Sequence, residues 1–478
     1  MARPVSTTVE LVGSALGDRG PIVVVGAGPA GALMAVYLAR QGCDVTVYES
    51  RPDIRRVDIG AGRSINLALA TRGIVPLVDV GVIDRVDAIT IPMRGRMIHA
   101  GDSTEPVLQP YGTRPNEVIH SVSRRDLNAI LLDAAEATGR VSIDFESSVR
   151  SIDFDAGALA VATPGSMRTV PFGTVFAADG AGSELRRAIT AANGGTAEVD
   201  WLDHGYKELE IPPADGGRFR LDPHGLHIWP RGEFMLIALP NPEGDFTATL
   251  FAPNEGEQSF ASLSDPEAVS LFFKEEFGDF VPLVPDLVEQ FFENPAGRLA
   301  TMRCRGWSAD DQAVLLGDAA HAIVPFHGQG MNLAMESARA LDRHLRAQPD
   351  DIAAAFTAFE AERKPNADAI ADMALDNYVE MRAGVVDPGY LIRRELALEL
   401  QRRHPDRLSP RYNMVMFSTM PYAEAAARAA RQGEILGELT AGRASLDDVD
   451  MDRATELVAR LEPLPEPDPL ARPNVLSV

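Results

Sequence analysis

Apolar and polar residues along this chain follow two different periods, and the period changes at definite places. Residues 21–90 combine short apolar runs with stretches of helical spacing, and this α/β pattern returns at residue 313. Between them, residues 204–251 contain three apolar and aromatic runs separated by turn residues, which is typical of antiparallel strands. Beyond residue 353 the spacing is mainly helical. The pattern therefore predicts an α/β fold with an inserted antiparallel β-sheet and a helical C-terminal region.

Shorter segments complete this prediction. Residues 127–137 have helical spacing, residues 141–161 alternate like the strands of a small antiparallel sheet, and residues 170–177 are predicted to form a buried strand. The first 20 residues show no periodic pattern and are predicted to form a loose leader. The Pro-rich residues 463–473 predict a mobile tail.

Composition narrows the classes of function. The 478 residues allow two or three domains, and 45 Lys and Arg against 69 Asp and Glu give a formal net charge of −24, which argues against binding to nucleic acid or to anionic membranes. Cys43 and Cys304 have no CxxC partner, which favours a reducing cytoplasm over a disulfide framework. Residues 21–39 carry no charge, but glycines interrupt them, so we expect strand, turn and buried helix rather than a membrane span.

A glycine-rich turn follows the first predicted strand. Gly26 can make the tight turn, Gly28 can let the backbone approach a pyrophosphate, and Gly31 can allow close packing of helix on strand. Glu49 ends the next predicted strand, 23 residues after Gly26. This is near the spacing of about 20 expected for an acid that binds a ribose 2′-hydroxyl. Residues 21–49 therefore predict a dinucleotide-binding βαβ unit.

A second glycine-rich segment lies at residues 317–332. Asp318 follows a predicted strand, and Gly328 and Gly330 precede a helix that can begin near Asn332. Backbone N–H groups at such glycines and at a helix N-terminus can bind an anionic or electron-rich group. Taken alone, the segment is equally consistent with an ordinary connection of strand, loop and helix.

A third element, Asp179-Gly180, stands between the other two, and the ordered trio resembles the single-component flavoprotein aromatic monooxygenases. Further motifs narrow the resemblance to the kynurenine 3-monooxygenase family, over residues 21–422. These motifs are GRSINLAL at 62–69, MRGRM at 93–97, QPYG at 109–112, HIWP at 227–230, IALPN at 237–241, PFHGQGMN at 325–332 and NYVEM at 377–381.

The resemblance implies an aromatic hydroxylase fold, in which a Rossmann-type FAD-binding domain carries an inserted antiparallel sheet for the substrate. The expected divisions are a leader at 1–20, a discontinuous FAD-binding domain at 21–90, 113–200 and 295–378, a substrate domain at 91–112 and 201–294, a helical C-terminal region at 379–446 and a tail at 447–478.

The resemblance also implies a reaction. NADPH reduces bound FAD, O2 adds to form a flavin C4a-hydroperoxide, and its distal oxygen attacks position 3 of the L-kynurenine ring, beside an amino group. An aniline-type ring is already electron-rich, so the protein has to hold the ring near the flavin and exclude water rather than supply a strong base.

The resemblance assigns the cofactor residues. Glu49 would bind the adenosine ribose, and Asp318 the ribityl chain or the ribose side of the pyrophosphate. Arg124 would bind the flavin from the side, although Arg125 is an open alternative. Backbone N–H groups at the start of the last glycine-rich helix would contact the flavin ring. The full expected set is Gly26, Gly28, Ala30, Gly31, Glu49, Arg124, Asp179, Asp318, Gly330, Met331 and Asn332.

The resemblance assigns the substrate residues as well. Arg96 and Tyr111 would bind the amino-acid carboxylate, and Asn377 and Tyr412 would complete the polar end of the pocket. No residue is assigned as a catalytic base, and His327 stays open as pocket wall, proton relay or neither. The expected apolar walls, each equally consistent with plain core, are Leu226, Met235, Ile237, Leu239, Phe251, Pro325, Phe326 and His327.

The sequence leaves alternatives open for the substrate and for the activity. The substrate could be a related aminoaryl compound such as a substituted kynurenine, or the chain could bind FAD without hydroxylating anything. No second dinucleotide motif marks an NADPH site, and NADPH over NADH rests on the resemblance. The membrane-anchoring C-terminal segment of eukaryotic members has no counterpart here, which predicts a soluble, bacterial-type member. A homodimer is neither required nor excluded.

Overall fold

The computed structural model describes residues 16–57, 66–101, 105–471 and 476. The leader up to residue 15, residues 62–65 of one motif and part of the tail lie outside the described residues. The predicted fold class is confirmed: a parallel α/β sheet, an inserted and mainly antiparallel sheet, and a helical C-terminal region.

The strands are β1 (Ile22–Val25), β2 (Val45–Tyr48), β3 (Asn66–Leu69), β4 (Thr90–Met93), β5 (Gly95–Ile98), β6 (Val107–Pro110), β7 (Ile119–Ser123), β8 (Val141–Asp144), β9 (Ser148–Asp153), β10 (Ala158–Thr163), β11 (Ser166–Pro171), β12 (Thr174–Ala177), β13 (Thr196–Ile211), β14 (Gly225–Arg231), β15 (Phe234–Pro240), β16 (Phe246–Pro253), β17 (Gly297–Arg305), β18 (Ser308–Ala309) and β19 (Ala313–Leu315).

The α-helices are α1 (Pro29–Arg40), α2 (Thr71–Asp79), α3 (Ile83–Asp87), α4 (Arg124–Ala137), α5 (Arg186–Ala192), α6 (Pro266–Glu276), α7 (Leu287–Glu293), α8 (Asp318–His321), α9 (Gly330–Ala347), α10 (Ile352–Arg382), α11 (Pro388–Arg403), α12 (Arg411–Met416), α13 (Tyr422–Thr440) and α14 (Met451–Val458). Short 3-10 turns lie at Gly17–Arg19, Val281–Leu283, Pro325–His327, Gly384–Val386 and Leu446–Asp448.

The first sheet has the order β18-β19-β12-β1-β2-β8 and is parallel except for β18. Its central strand β1 consists of four buried apolar residues, as expected where helices cover both faces. Ile22 pairs with Thr174 on one side and with Val45 on the other. The carboxyl ends of β1, β12 and β19 therefore lie side by side, and the three sequence elements at Gly26, Asp179 and Asp318 follow these ends.

The second sheet has the order β17-β13-β16-β15-β14-β5-β6, and β14 with β5 is its parallel pair. Alternating side chains give it two apolar faces. Trp229 and Phe246 pack under α6 and α7, whereas Met235 and Phe251 belong to the cluster on the opposite face. The face with Met235 and Phe251 is the one that meets the first sheet's glycine loops.

Two small three-stranded sheets, β11-β10-β9 and β3-β7-β4, complete the strand topology. The pattern at residues 141–161 predicts one antiparallel sheet, and this prediction is wrong for residues 141–144, since β8 pairs in parallel with β2. The strand β8 is a half-exposed edge of the first sheet, so its residues alternate just as those of a small sheet do.

The tail is predicted to be mobile, but its described part is held against the helices. Leu457 and Val458 of α14 pack with residues of α11. Asp468 forms an ion pair with Arg339 at 2.7 Å, and the Leu464 N–H donates to the Asp406 carbonyl at 2.7 Å.

The helix after the last glycine loop begins at Gly330, slightly before the expected Asn332.

Arg72 joins the first helices to the C-terminal region. Its side chain is fully buried on α2, and it donates to the Val415 carbonyl at 2.9 Å and to Glu336 of α9 at 3.2 Å. The guanidinium also lies 3.8 Å from the centre of the Tyr422 ring on α13. One cation therefore holds α2, α9, α12 and α13 in fixed relation.

We expect Arg72→Met to lower the free energy of unfolding by about 3 to 5 kcal/mol, because it removes one partner of a buried ionic network. The control is Arg56→Met, since Arg56 has a side chain that is 86% exposed, and its effect should stay within about 0.5 kcal/mol. Urea unfolding of the purified protein, followed by circular dichroism, measures both. Equal midpoints for the two variants would contradict the role of Arg72.

Candidate active site

A cavity of about 430 Å³ lies where the loops after the first sheet meet the second sheet. We call it the main cavity. Gly28, Gly180 and Asp318 line it from the first sheet, and Leu226 and Phe251 line it from the second. Ligands of open parallel sheets bind outside the carboxyl ends of the strands, so this is the expected place for a cofactor.

The glycine turn after β1 forms an open cradle. Gly26 has φ +93°, and Cβ atoms at Gly26 and Gly31 would collide with the Ala178 and Gly26 carbonyls respectively. By contrast, a Cβ at Gly28 would meet no atom within 4 Å, although Gly28 lines the cavity. The turn therefore leaves free space at the one glycine that is predicted to face a pyrophosphate, and Ala30, two residues further along, lines the same cavity.

Glu49 lies beside this turn. Its carboxylate accepts hydrogen bonds from the Ala27 N–H at 2.8 Å and from the Arg51 side chain at 2.9 Å. Burial opposes its ionisation, but these hydrogen bonds and the Arg51 charge hold the pKa of Glu49 below its usual value. Its Oε1 also accepts from the Arg51 N–H at 2.9 Å, whereas Oε2 accepts only from Ala27 among the described residues, so Oε2 can still accept from a ribose hydroxyl. Asn128 donates to the Ala27 carbonyl at 3.0 Å, a turn-holding role that the sequence did not reveal.

Asp318 and Arg124 both line the cavity. Burial raises the pKa of the Asp318 carboxyl group, although the nearby Arg124 charge opposes this rise. Arg125 instead donates to the Ile54 and Val57 carbonyls, at 3.3 and 2.8 Å. Of the two neighbouring arginines, Arg124 is therefore the one on the cavity side.

Arg186 fastens two of the loops together, and sequence reasoning gave it no role. Its guanidinium donates to the Ala319 carbonyl at 2.7 Å and to the Ala181 carbonyl at 2.6 Å. Asp179 does not line the cavity. Its Oδ2 accepts from the Glu184 N–H at 3.0 Å, and burial raises its pKa. The Asp179 side chain thus shapes the turn, while Gly180 lines the cavity.

The loop before α9 presents its backbone to the cavity. Gly330 and Met331 line it, and the first N–H groups of a helix have no acceptor within the helix. The Asn332 side chain is fully buried and points elsewhere: it accepts from the Ala70 N–H at 2.9 Å and donates to the Ala68 carbonyl at 2.8 Å. Asn332 therefore fixes the loop to β3 and α2.

All the predicted apolar wall residues line the main cavity: Leu226, Met235, Ile237, Leu239, Phe251, Pro325, Phe326 and His327. The Phe326 ring stacks on Tyr378 at 3.8 Å and meets the edge of Phe251 at 5.0 Å. Such packing fixes the wall and leaves an apolar space beside the glycine loop.

His327 is buried and stacked on Tyr412, with ring centres 5.2 Å apart. Burial, with Arg411 nearby, lowers the pKa of His327 to about 3. Neither ring nitrogen has a hydrogen-bond partner among the described residues. The imidazole is therefore neutral at ordinary pH.

The four predicted polar residues come together at one end of the main cavity. Arg96 is 5% exposed and donates to Asn377 Oδ1 at 3.2 Å, and its guanidinium lies 4.8 Å from the centre of the Tyr412 ring. Tyr111 stacks on Tyr412 at 5.3 Å. Asn377 lies behind Arg96 and does not line the main cavity, because its Nδ2 donates to the Phe326 carbonyl at 2.6 Å.

Glu380 is the main residue that sequence reasoning missed at this end. Its Oε1 accepts from Arg96 at 2.9 Å and from the Tyr390 hydroxyl at 2.9 Å, and Arg411 lies 3.3 Å from Oε2. Burial opposes ionisation, but the Arg96 and Arg411 charges hold the pKa of Glu380 below its usual value. A signal existed, since Glu380 stands within the NYVEM motif. Glu380 does not line the main cavity, so this cavity end presents the Arg96 cation, held from behind by Glu380, which suits the carboxylate of an amino acid.

Neither a membrane-spanning helix nor a metal-binding cluster is present in the described part of the chain. No helix there is both long and apolar enough to cross a membrane. Nor do the residues at 16–57, 66–101, 105–471 and 476 include a group of three or more His, Cys, Asp or Glu side chains placed to hold a metal ion.

We expect Gly28→Ala to lower FAD affinity by at least about tenfold, equivalent to about 1.4 kcal/mol, because the new methyl group would occupy space meant for the pyrophosphate. The fold should be unaffected, since that methyl group meets no protein atom within 4 Å. The matched control is Gly437→Ala, where the added carbon also has open space but lies on α13, away from the main cavity. FAD titration of the apoproteins measures both, and equal affinities would refute this placement.

Comparison with known proteins agrees with the site. A family model described as FAD binding domain matches residues 19–374. A kynurenine 3-monooxygenase of Stenotrophomonas maltophilia (strain K279a) is 50% identical over 429 residues, which is 89% of this chain and 94% of that protein. A kynurenine 3-monooxygenase of Myxococcus xanthus (strain DK1622) is 47% identical over 445 residues, 92% of this chain and 96% of that protein.

Solved structures share the fold. The tetrameric form of 2-methyl-3-hydroxypyridine-5-carboxylic acid oxygenase has a TM-score of 0.62 at 21% identity and covers 78% of this chain and 95% of its own. CtdE in complex with FAD has a TM-score of 0.59 at 17% identity, covering 75% and 92%. Together with the family model and the close relatives, these findings make FAD the cofactor, and the chain belongs to the kynurenine 3-monooxygenase family of FAD-dependent aromatic monooxygenases.

Proposed function

We propose that this protein hydroxylates L-kynurenine at ring position 3, using O2 and NADPH, by the flavin hydroperoxide chemistry that its sequence resemblance implies. The names of its close relatives support the substrate. The observation that carries the proposal is the buried Arg96, held by Glu380 from behind, at the end of an apolar cavity that also contacts the cofactor turn. Tryptophan degradation in the cytoplasm is the corresponding context, and two buried cysteines that form no disulfide agree with that location.

The charged end would fix the orientation of the substrate. The Arg96 guanidinium has further N–H groups beyond the two that bind Glu380 and Asn377, and it can donate these to the substrate carboxylate together with the Tyr111 hydroxyl. The Glu380 carboxylate would hold the Arg96 guanidinium in place for this contact. An amino acid held at its carboxylate would extend its side chain along the apolar walls toward the glycine loop.

The apolar walls would do the remaining work of the protein. FAD, when bound, supplies the redox chemistry that activates O2. Phe251, Phe326 and Met235 would hold the aromatic ring and keep water away from the reacting atoms. Because the amino group already activates the ring, the neutral His327 beside it is not required as a base. Gly330 and Met331 would direct backbone N–H groups to the flavin ring, where negative charge collects on reduction.

A related aminoaryl substrate, such as a substituted kynurenine, is the second candidate. The main cavity of about 430 Å³ is within the range of small-ligand pockets, so its size alone does not discriminate between ring substituents. A protein that binds FAD without hydroxylation is the third candidate. The polar end at Arg96, Tyr111 and Tyr412 argues against it, because a protein that only binds the cofactor would have no use for buried amino-acid anchors.

Product analysis tests the proposal directly. The FAD-loaded protein is mixed with NADPH under air, with and without L-kynurenine, and the products are identified by mass spectrometry. We expect faster NADPH oxidation with L-kynurenine and a product heavier by one oxygen atom. Hydrogen peroxide without that gain in mass would overturn kynurenine as the substrate. Ring-substituted kynurenines in parallel reactions separate the first candidate from the second.

Replacement of Arg96 tests the anchor. Arg96→Met should weaken L-kynurenine binding by about 2 to 5 kcal/mol, because the substrate carboxylate would lose its cation. FAD content should not change. Arg94→Met is the control, since Arg94 is exposed, lies two residues away and does not line the main cavity. Loss of FAD from the Arg96 variant, or equal binding by the two variants, would show that the anchor lies elsewhere.

A further inference from the structure

A second cavity of about 700 Å³ lies among α10, α11, α12 and α13. We call it the helical cavity. It shares Arg96, Tyr111 and Tyr412 with the main cavity, so these three side chains form a wall between the two spaces. The proposed reaction needs only the main cavity. The helical cavity is nevertheless larger, and it is lined by groups that suit a polar ligand.

Asn413 is the first sign of a ligand. It lines the helical cavity, its side chain is 3% exposed, and neither its amide nitrogen nor its amide oxygen has a hydrogen-bond partner among the described residues. A buried polar group without a partner costs about 1 to 3 kcal/mol. Asn413 therefore offers one hydrogen-bond donor group and one acceptor at the same point of the helical cavity, which suits a ligand that carries both an acceptor and a donor.

The charges around the cavity give the ligand's polarity. Arg393 of α11 lines it and forms no ion pair with any residue that the structure describes. On α10, Asp372 and Asp376 line it with side chains that are 67% and 66% exposed although each contacts an arginine, whereas Glu380, which also lines it, is already paired with Arg96 and Arg411. A carboxylate would therefore bind at Arg393, and an ammonium group would face the two aspartates.

The floor of the cavity is made of small residues. Ala369, Ala397 and Ala429 come from three different helices, and Gly433 of α13 adds a position where a Cβ would meet no atom within 4 Å. Small side chains on three packed helices leave a broad apolar surface, which suits a flat side chain rather than a compact inorganic ion.

We propose that the helical cavity is a second binding site for a free α-amino acid with an aromatic side chain, so that each chain binds two such molecules, one on either side of the wall. The choice of ligand rests on the proposed function, because the amino acid that reaches the main cavity is the one available next to the wall. Asn413 binds both ends of the zwitterion, Arg393 binds its carboxylate, and the alanine floor holds its ring.

The stoichiometry of L-kynurenine binding to the FAD-loaded protein tests this proposal. Equilibrium dialysis without NADPH should give two molecules per chain for the native protein and one for Gly433→Phe, whose new ring fills the helical cavity. Gly437→Phe is the matched control: it lies one turn further along α13, its Cβ also meets no atom within 4 Å, and it does not line the cavity. This control should still bind two molecules.

The outcomes separate the two proposals. One molecule per chain in the native protein, unchanged in Gly433→Phe, overturns the second site and leaves the proposed function standing. No binding at all in the native protein overturns the proposed function itself. Arg393→Gln provides a second variant should Gly433→Phe fold poorly: it should weaken one of the two binding events about tenfold and leave FAD content unchanged, and two unaltered binding events would count against the site.

Discussion

The buried charge of Arg96 is the constraint on which much of this structure depends. Arg96 stands on a strand of the inserted sheet and is 5% exposed. A buried cation is tolerated only when an anion and further acceptors surround it. Glu380 and Asn377 supply these from α10, nearly 300 residues later in the chain. The need to neutralise one guanidinium therefore fixes the long helix α10 against the sheet, and with it the helices that pack on α10.

The same arrangement explains why the main cavity has two unlike ends. The glycine turns after β1 and β19 give one end a surface of backbone N–H groups, whereas the other end presents the buried cation Arg96, which Glu380 neutralises from behind. The side chains that line the cavity between these two ends are mainly apolar, and burial keeps the His327 imidazole among them neutral. A net charge of −24 is no obstacle to an anionic cofactor, because its binding depends on these local groups.

The sequence predicted the parts of the site that local patterns specify. The turn from Gly26 to Gly31 needs only a strand, three glycines and a helix, all within about 20 residues. The motif match brought Arg96, Tyr111 and Tyr412 to one place, and they do meet there. Hydrogen-bond partners that are distant in sequence were missed. The residues next to Arg186 in the sequence, for example, do not indicate that its guanidinium donates to carbonyls of two separate segments. The edge strand β8 was assigned to the small antiparallel sheet instead of the parallel first sheet, because its apolar and polar residues would alternate in the same way in either sheet.

Neighbouring residues in one motif can also make quite different contacts, because the local backbone conformation determines where each side chain points. Arg124 and Arg125 stand side by side at the start of α4, where successive side chains point about 100° apart, so one lines the main cavity while the other binds the loop after β2. Asn332 follows Gly330 and Met331, yet its side chain secures the loop instead of facing the cavity. A residue's place in a motif thus indicates its neighbourhood, and its hydrogen bonds determine what it does there.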